Sequence, residues 1–422
     1  MTASRPHILI LAYVIGPDQG SEHAAAWGMA LVAAEIGDVT IACSPACEPQ
    51  IRKWLAAHPD RAMAIVSVEP KASLIVKALK KLPRGCFFEY FGWLAALPTV
   101  MAEIHARHPV DLAVHAALGS HWLPSPVAGL GVPSVWGSVG GATPVAPGLL
   151  SVLGLKGMVE RVVELVAITI GSNWPATRRT MREATVVLLE NEIVRKAMPR
   201  DVAERAEIFQ RALLTDAPEL PARPRSHDIL FPSTLHGRKG AMLALEAFAA
   251  HVPAPYRLVF VNQGPDEGRM RQRAKEMGLE ARVEFRGKIP REEYFLAMKG
   301  AAMAVFAGVN EDGGCALCEA MLLGVPVVVL AHSGPKEIVE RWSLDPDRVA
   351  AVTPAGGVAG TTRALGEAMS AIAARALTRT DPYLDRARAV GELQRVYRSA
   401  LAARGTVEQK ADPSVVGYSA TA

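Results

Sequence analysis

Two glutamates separated by seven residues, Glu311 and Glu319, are the residues whose type and spacing first suggest chemistry. They lie in the stretch VNEDGGCALCEAMLLGVPVVVLA (309–331), where an otherwise mostly apolar run gives no packing reason for two charges. A carboxylate accepts hydrogen bonds at both oxygens and therefore suits the hydroxyl groups of a sugar. The alternative is an ion-paired loop glutamate and helix glutamate that bind no ligand.

Gly313 and Gly314 follow the first glutamate and precede a predicted helix at 315–323. Glycine lets backbone N–H groups approach a ligand closely, and the start of a helix carries partial positive charge. This combination suits a phosphate or diphosphate. The stretch therefore predicts a site for a nucleoside diphosphate with a sugar at each end, one glutamate for each sugar.

Strands and helices alternate on both sides of this stretch. Apolar segments that predict strands lie at 7–14, 38–44, 62–68, 111–117, 132–137, 185–190, 228–234, 257–262, 282–287, 302–308 and 325–331. Predicted helices begin at Ser21 and lie at 71–81, 150–185, 240–251, 265–278, 291–299, 315–323 and 335–341. Continuous apolar strands that alternate with helices predict parallel sheets covered on both faces. Ligands of such sheets bind beyond the carboxyl ends of the strands, where residues 309–314 are placed.

A segment with three prolines and no periodicity, LTDAPELPARPRSH (214–227), divides the chain. We expect an N-terminal Rossmann-like domain at 1–213, this linker, and a C-terminal Rossmann-like domain at 228–381. An amphipathic helix at 382–404 is expected to cross back to the first domain, and the polar residues 405–422 are expected to be disordered.

The bulk composition excludes several classes of protein. The 422 residues carry a net charge of only +4, which does not favour nucleic-acid binding. The start of the sequence does not resemble a signal peptide, and no apolar run is long enough for a spanning helix, so we expect a cytoplasmic protein. Five cysteines do not suggest a disulfide scaffold. Cys315 and Cys318 have the spacing of half a zinc site, but no second pair completes it.

The stretch at 311–328 resembles the E-x7-E signature of retaining glycosyltransferases of family 4, which have the GT-B fold of two Rossmann-like domains facing a central cleft. The family pattern E-G-F-G-L-x-x-x-E-A-M-A-x-G-x-P-V-V is matched here by EDGGCALCEAMLLGVPVV. Four further segments resemble the family in the same order: HGRKGAMLALEAFA (236–249), FVNQGPDEGRM (260–270), FRGKIPREEYFLAM (285–298) and SGPKEIV (333–339).

The resemblance implies a hexosyltransferase-type enzyme (EC 2.4) that takes a sugar from a nucleotide-diphosphate sugar with retention of configuration. The acceptor is expected to be a glycan or a lipid-linked molecule in polysaccharide or glycolipid biosynthesis. Lys239 is expected to stabilise the leaving diphosphate, Glu319 to hold the ribose and Glu311 the transferred sugar. The remaining donor-binding residues implied are Gly20, Arg238, Gly264, Lys288, Ile289, Gly313, Gly314 and Cys315.

The first domain resembles the family more loosely. GPDQGSE (16–22), with Glu22, is similar to the glycine-bearing first loop, and WGSVGGATP (136–144), with Gly140 and Gly141, is similar to a W-G-P-V-G-G-G segment. These residues are expected to bind the acceptor. A histidine of the family lies close to the transferred sugar, and both His115 and His121 are candidates. The family spacing favours His115 as the catalytic residue.

The sequence also departs from the family. Thr234 occupies the place of an arginine that often precedes the diphosphate lysine by five residues, and Asp312 and Gly313 replace the Gly-Phe of E-G-F-G. The loss of the arginine leaves open a catalytically inactive homologue that acts as a sugar-nucleotide-binding or regulatory subunit. A GT-B phosphorylase or epimerase is a further rival. Asp345-x-Asp347 has the form of a metal motif but lies in a proline turn, and the resemblance implies a site without cofactor or metal.

Residues 71–85, KASLIVKALKKLPRG, predict a basic amphipathic helix that is followed by the aromatic residues Phe87, Phe88, Tyr90, Phe91 and Trp93. A basic helix of this kind binds anionic lipid, and aromatic rings favour the membrane interface. We therefore expect peripheral association with an anionic membrane. The alternative is an ordinary surface helix packed on the first domain.

Overall fold

Two parallel sheets organise the chain, as a computed structural model that describes residues 5–71, 86–221, 223–375 and 377–403 shows. The strands of the first sheet are β1 (His7–Ala12), β2 (Asp38–Cys43), β3 (Met63–Ser67), β4 (Leu112–His115), β5 (Ser134–Val139), β6 (Val186–Leu189) and β7 (Glu207–Ile208). The strands of the second are β8 (Asp228–Phe231), β9 (Arg257–Phe260), β10 (Val283–Phe285), β11 (Met303–Phe306), β12 (Val327–Leu330) and β13 (Val349–Val352).

The order across the first sheet is β3-β2-β1-β4-β5-β6-β7, and across the second it is β10-β9-β8-β11-β12-β13. Every residue of β1, β5, β11 and β12 is buried, because helices cover both faces of each sheet. The predicted pair of Rossmann-like domains is therefore confirmed.

Fourteen α-helices lie within the described ranges. They are α1 (Glu22–Ile36), α2 (Glu48–Ala57), α3 (Cys86–Arg107), α4 (Gly154–Asn173), α5 (Pro175–Glu183), α6 (Glu192–Ala197), α7 (Arg200–Arg205), α8 (Ala241–His251), α9 (Glu267–Glu276), α10 (Arg291–Gly300), α11 (Cys315–Leu322), α12 (Ser333–Trp342), α13 (Gly357–Ala374) and α14 (Arg386–Ala402). Short 3-10 helices span Leu150–Leu153, Arg211–Leu214, Gly237–Lys239 and Pro346–Arg348.

The helical region predicted at 150–185 is broken in two by a proline. Trp174 precedes Pro175 and has an extended backbone, with φ −64° and ψ 134°, because the proline ring disfavours the helical conformation of the residue before it. α4 therefore ends at Asn173, and α5 starts again with the proline in its first turn.

The chain returns to the first domain at its C-terminal end. α14 buries Leu393 and Tyr397 in the hydrophobic core that also contains residues of β1 and α1. Gln394 donates a hydrogen bond to Glu35 of α1 at 2.6 Å, and Arg395 forms an ion pair with Glu207 of β7 at 2.8 Å. The first domain is thus built from both ends of the chain.

One face of α4 exposes large apolar side chains. Leu155 is 77% exposed and Ile170 is 68% exposed, and Val159, Val162, Val163 and Val166 lie between them. Leu150 and Trp174 extend this surface at its two ends. We call these eight residues the α4 apolar face. None of the helices in the described ranges combines the length and the hydropathy needed to cross a bilayer.

The predicted basic helix at 71–81 lies outside the described residues, apart from Lys71. Of the aromatic residues that follow it, Tyr90 and Trp93 on α3 are buried in the first domain, where both pack edge-on against Tyr13. The expectation that these two rings anchor the protein at a membrane interface is therefore wrong, because the core of the domain already surrounds them.

Candidate functional site

Two adjoining pockets lie in the cleft between the sheets. The first has a volume of about 560 Å³ and is lined mainly by the second domain, with Gly20 and its neighbours from the loop before α1. The second has a volume of about 670 Å³ and is lined by both domains. Six residues line both pockets and mark where they meet: Ser21, Thr234, Lys239, Glu311, Gly314 and Cys315.

Lys239 and Glu311 form an ion pair at this junction. Lys239 ends the 3-10 helix after β8, and Glu311 lies in the loop after β11, the neighbouring strand of the sheet. The carboxyl ends of parallel strands share one edge, which brings the two residues together. The next residue, Gly240, has φ +67°, and a Cβ there would lie 1.9 Å from the carbonyl oxygen of Ala307, so only glycine fits beside the lysine.

Glu319 lies on α11 and is only 2% exposed, yet it lines the first pocket. Its Oε1 accepts a hydrogen bond from Arg291 at 2.7 Å, and its Oε2 accepts one from the Tyr294 hydroxyl at 2.8 Å. Burial raises the pKa of the Glu319 carboxyl, while Arg291 and Tyr294 oppose that shift. The structure thus holds this carboxylate in one orientation at the wall of the pocket.

Arg291 is a site residue that the sequence analysis missed. It stands at the start of α10, lines the first pocket and pairs with Glu319 across 28 positions of sequence. Its segment, FRGKIPREEYFLAM, was identified as part of the site, and its neighbours Lys288 and Ile289 line the same pocket. An arginine just after that predicted loop was the available signal.

The Gly313-Gly314 segment leads directly into α11, so the amino end of that helix points at the junction of the pockets. Gly314 and Cys315 line both pockets, and Gly313 lines the second. The unpaired N–H groups of the first helical turn and the positive end of the helix dipole therefore face the cleft. Cys315 and Cys318 are both free thiols on this helix.

Asp312, a departure from the family pattern, joins the two domains. Its Oδ2 accepts a hydrogen bond from the backbone N–H of Gly141 at 3.0 Å, and its Oδ1 accepts one from the Thr143 hydroxyl. Asn310 donates to the carbonyl oxygen of Thr143 at 2.6 Å. Asp312 therefore positions the loop that carries Glu311 against the segment after β5.

Three charged residues of the first domain form a cluster in the second pocket, in which Arg211 and Glu190 are buried and Glu22 is partly exposed. The guanidinium group of Arg211 pairs with Glu22 at 2.6 Å and with Glu190 at 2.8 Å. Glu22 was expected to bind the acceptor, but Glu190 and Arg211 were not predicted. They stand at the end of β6 and just after β7, where the sequence shows only a strand end and the approach to a linker.

His115 does not line either pocket, which corrects the preference for it as the catalytic histidine. It lies in β4 with its ring packed towards Trp93, and its Nδ1 lies 2.6 Å from the Ser125 hydroxyl. Burial lowers the pKa of His115 to about 4. Its side chain faces the core beneath α3 and is a neutral packing residue.

His121 is also buried, but its chain neighbours Ser120 and Trp122 line the second pocket. Its Nδ1 donates a hydrogen bond to the carbonyl oxygen of Gly140 at 3.0 Å, and burial lowers its pKa. The ring thus supports the Gly140-Gly141 segment, and both of those glycines line the pocket.

Two remaining predicted residues differ in their placement. Arg238 lines the second pocket and lies 3.9 Å from Glu164 of α4. Gly264 lines neither pocket, and a Cβ there would lie 2.3 Å from the carbonyl oxygen of Leu235. Close packing of two loops accounts for this glycine, and its expected role in donor binding stays a prediction.

Asp345 of the D-x-D sequence caps a 3-10 helix. It accepts a hydrogen bond from the backbone N–H of Asp347 at 3.2 Å and pairs with Arg348 and Arg379, each at 2.9 Å. These contacts occupy its carboxylate in a turn. No group of three His, Cys, Asp or Glu side chains with a geometry suited to a metal ion occurs among the residues that the structure describes.

Residues 215–353, which cover most of the second domain, match the family model of glycosyl transferases group 1. The chain is 27% identical over 260 residues to 2-deoxystreptamine glucosyltransferase of Streptomyces kanamyceticus, covering 58% of this chain and 65% of that protein. It is 33% identical over 110 residues to 2-deoxystreptamine N-acetyl-D-glucosaminyltransferase of Streptomyces fradiae, covering 26% of this chain and 25% of that protein. The matches thus span less than two thirds of the length of either relative.

Two solved structures resemble the chain over nearly its whole length. HepE of Anabaena, in complex with UDP and glucose, has a TM-score of 0.51 at 17% identity and covers 94% of this chain and 100% of its own. Sucrose-phosphate synthase of Thermosynechococcus elongatus has a TM-score of 0.55 at 17% identity and covers 96% and 99%. At such identities the likeness establishes the fold, and the fold of this chain is GT-B.

Proposed function

We propose that the protein is a glycosyltransferase of the hexosyltransferase type (EC 2.4), which moves a sugar from a nucleotide-diphosphate sugar to an acceptor held by the first domain. The observation that carries this proposal is the junction of the pockets, where Lys239, Glu311 and the amino end of α11 meet. The match of this region to glycosyl transferases, the transferase names of two relatives, and UDP and glucose bound to HepE support it.

The geometry suggests roles for several charged groups of the first pocket. A diphosphate at the amino end of α11 would draw Lys239 away from Glu311, because two phosphate charges attract the ammonium group more strongly than one carboxylate does. Glu311 would then be free to accept hydrogen bonds from the hydroxyls of the transferred sugar. Glu319 would accept those of the ribose, and Lys288 and Ile289 would line the base.

Negative charge grows on the leaving diphosphate as the glycosidic bond breaks, so cations already in place stabilise the transition state. Lys239 and Arg291 supply that charge within the first pocket. Arg291 also weakens the case for an inactive homologue, which rested on Thr234 in the place of an arginine. Retention of configuration, and a glycan or lipid-linked acceptor in polysaccharide or glycolipid biosynthesis, are further parts of the proposal that follow from the resemblance to family 4.

Replacing Lys239 by alanine should lower turnover by about a hundredfold, with a smaller change in donor affinity, because the lost contact strengthens in the transition state. The measurement is release of the nucleotide diphosphate from a panel of UDP-, GDP- and TDP-sugars. Lys336→Ala, an exposed lysine on α12, is the matched control. Turnover of Lys239→Ala within about threefold of the wild type would exclude the assigned role.

Replacing Glu319 by alanine should weaken donor binding by about tenfold or more, since each hydrogen bond from a ribose hydroxyl to a carboxylate contributes about 1.5–3 kcal/mol. Calorimetric titration with UDP measures this. Glu340→Ala on the surface of α12 controls for the loss of a carboxylate, and a circular dichroism spectrum checks the fold. Unchanged affinity would remove Glu319 from the donor site.

We further propose that transfer requires no metal ion, because Lys239, Arg291 and the amino end of α11 provide the positive charge that a cation would supply. Rates measured with excess EDTA should equal those measured without it. A rate that collapses in EDTA and recovers on addition of Mg²⁺ or Mn²⁺ would contradict this part of the proposal and return Asp345 and Asp347 to consideration.

Peripheral association with an anionic membrane remains part of the proposal. Its sequence basis is the basic segment at 71–85, and the α4 apolar face adds an exposed apolar surface on the same domain. Each basic residue near anionic lipid contributes about 1 kcal/mol, so several could hold the protein reversibly. Such placement would bring a lipid-linked acceptor to the cleft.

Co-sedimentation with anionic vesicles tests this association. We expect binding at low salt that decreases as salt is added and is lost in the triple variant K77E/K80E/K81E. The triple variant K53E/R107E/R200E changes the net charge by the same amount at three exposed positions elsewhere in the first domain. Absence of sedimentation at low salt, or equal loss in both triple variants, would contradict a specific membrane surface at 71–85.

A further inference from the structure

The second pocket contains more carboxylates than cations. Six acidic side chains line it, namely Glu22, Glu160, Glu164, Glu190, Glu311 and Asp312, against three basic ones, Arg211, Arg238 and Lys239. His236 also lines it and lies 3.7 Å from Glu160. Lys239 pairs with Glu311, and Glu164 lies 3.9 Å from Arg238 and 2.8 Å from Arg161. Glu22 and Glu190 pair with Arg211 instead.

Glu22 and Glu190, at the end of the second pocket formed by the first domain, both pair with Arg211. Arg211 bonds Oε1 of Glu22 at 2.6 Å and Oε1 of Glu190 at 2.8 Å, and donates a third hydrogen bond to the carbonyl oxygen of Ala116 at 3.3 Å. Its guanidinium group is thus committed to these partners. The cluster of Glu22, Arg211 and Glu190 contains two carboxylates and one positive charge.

Glu190 has one oxygen without any partner. The side chain is only 3% exposed and lies in the wall of the second pocket, and its Oε2 is buried and accepts no hydrogen bond. Leaving a buried carboxylate oxygen unpaired costs free energy. Such an atom in the wall of a binding cleft therefore indicates a ligand that donates a hydrogen bond to it. Glu22, by contrast, uses its second oxygen to accept the backbone N–H of Leu118 at 3.4 Å.

A glycine of the second domain lies beside this oxygen. A Cβ added at Gly313 would lie 3.8 Å from Oε2 of Glu190, so the residue that faces the oxygen from the second domain has no side chain to cover it. Gly313 follows Asp312 and precedes the helix start that faces the junction of the pockets. A small group bound at Glu190 would therefore lie in the same pocket as Glu311 and Lys239.

The pKa of the Glu190 carboxyl agrees with a binding site for a cation. Burial is the largest cause that raises the pKa of its carboxyl to about 8; Glu22 and Asp312 contribute in the same direction, and Arg211 opposes the shift. The thiols of Cys315 and Cys318 on α11 also interact with this carboxyl, and burial raises the pKa of each thiol. At neutral pH the Glu190 carboxyl is therefore protonated in the free protein, and a positively charged ligand would displace that proton.

We propose that the acceptor carries an ammonium group, and that Glu190 together with Glu22 binds this group at the first-domain end of the second pocket. An ammonium group donates three hydrogen bonds and supplies the one positive charge that the cluster lacks. A hydroxyl on the same molecule would then face the junction of the pockets, where the sugar is transferred. The acceptor class is an amino sugar or aminocyclitol, free or as part of a larger molecule. This inference rests on the proposed function and specifies its acceptor.

The test is calorimetric titration of the full chain, saturated with UDP, using two cyclitols. One is 2-deoxystreptamine, which has two amino groups, and the other is 2-deoxy-scyllo-inositol, in which hydroxyls replace them. We expect the diamine to bind at least about tenfold more tightly. Equal affinities, tighter binding of the neutral cyclitol, or no binding of the diamine at millimolar concentration would overturn the inference.

A proton readout separates binding at Glu190 from a merely structural role. At pH 7 binding of the diamine should release a proton from Glu190, seen as a dependence of the measured heat on the ionisation enthalpy of the buffer. Because the free carboxyl is protonated below its raised pKa, affinity should fall as pH falls from 8 to 6. Binding without proton release at pH 7 would contradict the assignment.

Glu190→Gln should abolish both the preference for the diamine and the proton release. Glu337→Gln is the matched control, because Glu337 also has a buried oxygen without a partner and a pKa raised by burial but lines neither pocket. Retention of the preference in Glu190→Gln, or equal loss in both variants, would overturn the inference.

UDP binding is measured first in each protein. Normal UDP binding without a preference for the diamine refutes the inference alone, whereas failure of the wild type to bind any nucleotide refutes the proposed function as well.

Discussion

The contact between Asp312 and the segment after β5 is the constraint on which the cleft depends. The Asp312 carboxylate accepts one hydrogen bond from Gly141 and one from Thr143, and hydrogen bonds to charged groups contribute about 1.5–3 kcal/mol each. Thr143 also lies 2.9 Å from the Ser333 hydroxyl at the start of α12. The loop that contains Glu311 and the two glycines is therefore positioned by the opposite domain. Both domains, and not the second domain alone, therefore determine the conformation of this loop.

The two pockets that this contact brings together differ in charge. Three cations line the first pocket, Lys239, Lys288 and Arg291, and the amino end of α11 adds to them. Acidic residues dominate the second pocket. An anionic molecule in the first pocket and a cationic one in the second would each lower the electrostatic cost of the other, because the pockets adjoin and opposite charges attract. The arrangement favours simultaneous occupation of both pockets.

The parts of the fold that sequence predicted are those with a strong local signal. Continuous apolar strands such as β1 and β12 were placed within a few residues of their observed ends, because burial on both faces leaves an unbroken hydrophobic run. β7 has only two residues, β13 lies at the edge of its sheet, and α13 is rich in glycine and alanine, so none of them was predicted. α3 was missed because its aromatic residues were interpreted as membrane anchors.

The same distinction applies to the site residues: those in short sequence motifs were predicted, and those in pairs between distant segments were not. Lys239, Glu311, Gly314 and Glu319 lie within short motifs and were predicted to line the cleft. The pairs Arg291–Glu319 and Arg211–Glu190 join residues that are distant in sequence or belong to different elements, and no local pattern reveals them. His115 has a spacing that suits the family, but the face of β4 on which its side chain lies depends on the covering helix α3. Spacing along the chain does not determine which way a side chain points once a helix of unknown position covers the strand.

The return of α14 to the first domain has a consequence for synthesis. β1 and α1 are translated long before α14, so the core that Leu393 and Tyr397 complete stays unfinished until α14 has been translated. The second domain is continuous in sequence and can fold while the first still exposes apolar surface. The second domain can therefore complete its core before the first domain does, against the usual amino-to-carboxyl order of domains. A nascent chain that stalls before residue 386 presents an incomplete first domain to chaperones and proteases.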